Sequence, residues 1–105
     1  MGMELMVPGG AARPLAALVE ALAAAGIGVT VMMIDGGLVA PGAPLPAVWR
    51  DVRLRAPEGT VTLARRGPGT AGRADLAVVV FGNADPGLRS LQARIVATLA
   101  AAVAG

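Results

Sequence analysis

Few side chains in this sequence can do chemistry: seven carboxylates, one serine, a handful of threonines and nine arginines. Cys, His, Lys and Tyr are absent. A disulfide scaffold and any Cys/His zinc site are therefore excluded. So are a thiolate nucleophile, an imidazole base, Schiff-base chemistry and phenol acid/base chemistry. Arginine is permanently charged and shuttles protons poorly. A carboxylate-based enzyme is thus the weakest of three function classes. The composition reads as a non-catalytic protein that needs no metal and no cofactor.

Two loops have the layout of an anion site, a strand end leading into a helix start. In Val7-Pro8-Gly9-Gly10-Ala11-Ala12-Arg13, backbone N–H groups of Gly9 and Gly10 could hold an anion with Arg13 closing over it. The loop lacks the Lys-Ser/Thr of a phosphate-binding loop and the GxGxxG spacing of a dinucleotide site. An ordinary strand-to-helix turn is the plainer reading. The second loop, Phe81 to Gly87, holds Asp85, whose carboxylate would repel a phosphate and suits an N-cap. Asp35, in Asp35-Gly36-Gly37, reads as a turn former rather than a metal ligand, since no second acid lies near it in sequence. Trp49 is the best single contact residue, because large aromatics anchor interfaces. The rival reading makes it a lid over one end of the core. Met32 and Met33 join it as interface candidates. Adjacent residues face opposite sides of a strand, so at least one of the pair should fill the core.

The elements that must position these residues fit one domain spanning residues 1–105. Apolar residues make up 55% and charged residues 15%, which excludes a disordered chain. The net charge is only +2, and Trp49 and Phe81 are the only aromatics. A nucleic-acid partner would want a basic stripe and stacking rings. Arg50, Arg53, Arg55, Arg65 and Arg66 accordingly read as a solvated sheet face. The longest charge-free apolar stretch, Ala21 to Ile34, is too short to span a membrane and contains Gly26 and Gly28. Leu15 to Ala25 has Glu20 in its middle and reads as a helix of a cytoplasmic protein, not a signal segment.

Met3–Val7 reads as a short strand. Pro14 suits a first helical turn, Leu15, Leu18, Val19 and Leu22 form one stripe, and Gly26 suits a left-handed cap. Gly28–Ile34 is a nearly continuous apolar strand, which implies cover on both faces. Leu38–Ala40 is a candidate return strand, and Pro41, Pro44 and Pro46 then forbid regular structure up to about Ala47. Asp51–Arg55 and Thr60–Arg66 form a hairpin with Pro57 and Glu58 at its tip. Only Leu54 opposite Val61 and Val52 opposite Leu63 keeps the apolar face unmixed. Gly67–Gly72 is a loop tip, and Leu76–Phe81 is a second doubly apolar strand. Asp85 and Pro86 open the last helix, with Leu88, Leu91, Ile95, Leu99 and Val103 as its stripe and Arg89, Gln92 and Arg94 off it. This order predicts an α+β fold: a mostly antiparallel sheet of about five strands with two helices.

Three pieces resemble the roadblock/LC7 family. They are Gly28–Ala40, with its D-x-x-G-L turn, Gly59–Gly67, and Ala74–Ile95, where strand, Asp and helix follow one another. Ten residues containing three prolines, Pro41–Arg50, stand where that family has a middle helix. A ferredoxin-like sheet is the competing arrangement; it suits the opening strand–helix–strand but would need a further strand at the end. The resemblance implies an interaction module with a small GTPase or similar switch protein as partner. Two doubly apolar strands and an alanine-faced helix also exceed what two helices can cover, so a homo-oligomer, simplest as a homodimer, is expected. The expected function is a regulatory or scaffolding module. The alternative is a small-ligand or anion-binding domain using the Pro8–Arg13 loop.

Overall fold

Local rules place the two helices. In the computed structural model, which describes residues 3–66, 75–82 and 85–104, α1 runs Leu15–Ala24 and α2 runs Pro86–Ala104. Pro14 precedes α1 at the N-cap, and Leu15, Leu18 and Leu22 are its buried residues. Its end is a Schellman cap. Gly26 takes φ +76°, its N–H donates to the Ala23 carbonyl, and the Ile27 N–H donates to the Leu22 carbonyl, both at 3.0 Å. At the start of α2, the Leu88 N–H donates to Asp85 Oδ1 at 2.8 Å. Asp85→Ala should therefore cost about 0.5–2 kcal/mol. Asp85→Asn should cost less, because the amide oxygen still accepts and only the charge–dipole attraction is lost. Thermal melts of the two variants check this; equal losses would give Asp85 a role other than capping.

The described residues form a six-stranded, wholly antiparallel sheet. Its strands are β1 (Met3–Val7), β2 (Thr30–Ile34), β3 (Gly37–Leu38), β4 (Asp51–Ala56), β5 (Gly59–Arg66) and β6 (Asp75–Val80). Their order across the sheet is β1-β6-β5-β4-β2-β3. The fold is α+β as expected, with the two-residue β3 as the strand beyond five. Residues 41–50 contain no helix, in keeping with their prolines. The Gly67–Gly72 loop tip and the Asn83-Ala84 pair lie outside the described residues.

The β4–β5 hairpin has the register its apolar alternation demands. Leu54 pairs with Val61 and Val52 with Leu63, and all four are fully buried. Arg53 and Arg55 are exposed, while Thr62 is half-buried. Neither Pro57 nor Glu58 has positive φ, so the two-residue turn is not of the primed type. The β2–β3 turn is primed: Asp35 (φ 51°) and Gly36 (φ 82°) are both left-handed.

One core fills the space between sheet and helices. Val52, Leu54, Val61, Leu63, Leu76, Val78 and Val80 meet Leu15, Leu18, Leu22, Leu91, Ile95 and Leu99 there. α2 lies against β1 and β6, with α1 beside it. β6 is buried on both faces, as its apolar run requires. β2 is not: its residues are exposed or half-buried, and its outer neighbour is the two-residue β3. Val31 and Ile34 pack against the core, and the run is made continuous by Met32 and Met33, which lie beside arginines.

Candidate interaction face

Strand alternation divides the sheet residues between two faces. Opposite the helices, β5 presents Thr60, Thr62, Ala64 and Arg66, and β6 presents Ala77 and Val79 across from them. β4 adds Arg53 and Arg55, and β1 adds Glu4 and Met6. Ala64, Ala77 and Val79 form a separate buried cluster, with no described helix over them. Around this centre, Met6 is 42% and Phe81 61% exposed. Met32, Arg53, Thr60, Thr62, Phe81 and Leu88 line a shallow cleft at one end.

Met32 and Met33 both belong to this face. The pairing of β2 with β4 shifts between Val31 and Met33, a bulge that breaks strict alternation. Arg55 Nη2 donates to the Met32 sulfur at 3.3 Å, and Arg53 Nη1 reaches the Met33 sulfur at 3.8 Å. Neither methionine joins the core, so the expectation that one would fill it is corrected. Arg66 pairs with Glu4 across β6.

Trp49 takes the lid position. It is 2% exposed and belongs to the core, with the Arg65 guanidinium 5.9 Å from the ring centroid, a cation–π distance. As an interface anchor it is therefore corrected: its ring is buried within its own chain.

Two of the donors named for the Pro8–Arg13 loop, the Gly9 N–H and the Arg13 guanidinium, have partners within the fold. Gly9 N–H donates to Asp75 Oδ1 at 2.8 Å. Gly10 is buried, and a Cβ there would stand 2.8 Å from Leu76 Cβ, so glycine is required for close packing. Arg13 Nη2 donates to the Val103 carbonyl at 3.3 Å, near the end of α2. An anion at Gly9 would compete with a carboxylate already seated on that N–H.

Two tethers escaped the sequence reading. Gln92, placed off the helix stripe, is 2% exposed. Its Nε2 donates to the carbonyls of Met3 and Val78, both at 2.9 Å, and so ties α2 to β1 and β6. Asp35 Oδ1 accepts the N–H groups of Arg50 at 2.7 Å and Asp51 at 3.0 Å. These bonds, that from Asp51 foremost, hold its carboxyl below the ordinary 3.8. A depressed carboxylate stabilises the fold above the unfolded-state pKa and loses that effect as pH falls through the folded value. Stability should therefore fall on acidification below about pH 4, and Asp35→Asn should flatten part of that slope. Urea midpoints between pH 2 and 6 check it.

The arrangement is an α+β layer with helices on one side and an arginine-rimmed, apolar-centred face on the other. Comparison with family models, curated proteins and solved structures finds no match to the chain. No described helix is long and apolar enough to cross a membrane.

Proposed function

We propose that this chain is a non-catalytic interaction module, a homodimer that scaffolds or regulates a protein partner. The observation that carries the reading is the helix-free sheet face. Met6 and Phe81 are exposed on it beside the buried Ala64, Ala77 and Val79, with Arg53 and Arg55 at the side, and enrichment in Met, aromatic and Arg side chains is a mark of an interface. Four of the seven acids have structural partners, which supports a non-catalytic role. Asp35, Asp75 and Asp85 hold backbone N–H groups, and Glu4 holds Arg66. The resemblance to roadblock domains supplies the partner class, a small GTPase or similar switch protein, and it rests on the strands and last helix alone, since residues 41–50 form no helix.

The test is sedimentation velocity over a wide concentration range, together with capture from lysate of the source cells by wild type and by Phe81→Ala. A dimer at micromolar concentration, with a partner bound by wild type and lost on Phe81→Ala, is the expected result. A monomer at high micromolar concentration would remove the dimer from the reading. A partner held equally by both proteins would remove the sheet face from it.

A further inference from the structure

The two edges of the sheet are not alike. On one side β3 has two residues and is followed closely by Pro41. Short strands and prolines are the usual means of blunting an edge. On the other side β1 has five residues, Met-Glu-Leu-Met-Val, with no proline and no lysine. It pairs only with β6 among the described strands. Its one charge, Glu4, is already neutralised by Arg66 of the same chain. Six large apolar residues are exposed among the described ones, and three of them lie on this strand: Met3 (41%), Leu5 (40%) and Met6 (42%). Gln92 anchors the strand from behind through the Met3 carbonyl, so the edge is held in extended form.

We infer that β1 is the site at which a second copy of this chain docks, by antiparallel pairing of β1 with its symmetry mate about a two-fold axis at Leu5. The inference rests on the homodimer reading above and names its contact. The sequence of the strand is self-complementary in this register. Leu5 meets Leu5 of the second copy, Met3 meets Val7, and Glu4 meets Met6, so no two like charges stand opposite. An isologous contact of this kind closes on itself and stops at two copies. The axis is perpendicular to the sheet, so both helix pairs fall on one side and both helix-free faces on the other. The result is one continuous twelve-stranded sheet, doubling the face assigned to a partner.

The chain has no cysteine, which makes single-cysteine crosslinking clean. Opposed residues of paired antiparallel strands have Cα atoms about 4.5–5.5 Å apart, within the roughly 4.4–6.8 Å that a disulfide spans. Leu5→Cys should therefore give predominantly covalent dimer on a non-reducing gel after mild oxidation. Val48→Cys and Leu38→Cys, more exposed apolar sites outside β1 and its partner strand, should stay mainly monomeric. Circular dichroism confirms that each variant is folded. If wild type sediments as a dimer but Leu5→Cys crosslinks no faster than the two controls, this contact is overturned and the homodimer stands. If wild type is a monomer at high micromolar concentration, both fall.

Discussion

Trp49→Ala is expected to destabilise the protein by about 3–5 kcal/mol, a large share of the roughly 5–15 kcal/mol that holds a domain of ordinary stability folded. The ring is buried in the core, next to a stretch without helix or strand, and its loss would leave a cavity whose cost is set by how far those residues relax into it. Arg65 would also lose the face it stacks on. Denaturant unfolding measures the effect. Because the ring lies inside its own chain, the difference from wild type should be the same at low and at high protein concentration. An anchor at a subunit contact would behave otherwise: the variant would keep its folded-state stability and lose affinity. A loss below about 1 kcal/mol, well under the range for a buried Trp, would contradict the lid assignment.

The second large effect is Leu54→Ala, expected to cost about 2–5 kcal/mol. Leu54 is fully buried and paired with Val61 on one side and Val31 on the other, so truncation opens a hole in the middle of the sheet. Arg53→Ala, one residue away on the opposite face, should stay within about 0.5 kcal/mol of wild type. The contrast between neighbours measures the register directly. A costly Arg53→Ala beside a mild Leu54→Ala would mean that the hairpin presents its other face to the helices.

The features legible in the sequence are those whose physics is local. The Gly26 cap, the Asp85 cap and the β4–β5 register each depend on residues within a few positions of one another, or on alternation along two neighbouring strands. The last helix is legible along its stripe, but Gln92 lies off that stripe and is buried all the same. Periodicity ranks residues by hydropathy and cannot see a buried amide whose acceptors, such as the Met3 carbonyl 89 residues away, lie on other strands. The partner of the Gly9 N–H in the Pro8–Arg13 loop was hidden from the sequence for a similar reason. That N–H is a property of the loop, but the Asp75 carboxylate that occupies it comes from 66 residues on. The Met32–Met33 pair defeated simple alternation because a bulge arises from how β2 aligns with β4, not from β2 alone.

By itself, then, the sequence determined the α+β class, the chemistry that is missing, the caps and the inward face of the hairpin, because backbone preference and side-chain alternation act over short range. The strand order was decided only by tertiary pairing, since any two extended segments can satisfy each other's hydrogen bonds. With that order came the edge position of β1, the burial of Trp49, the sheet face without a described helix and the backbone groups that Asp35 and Asp75 hold.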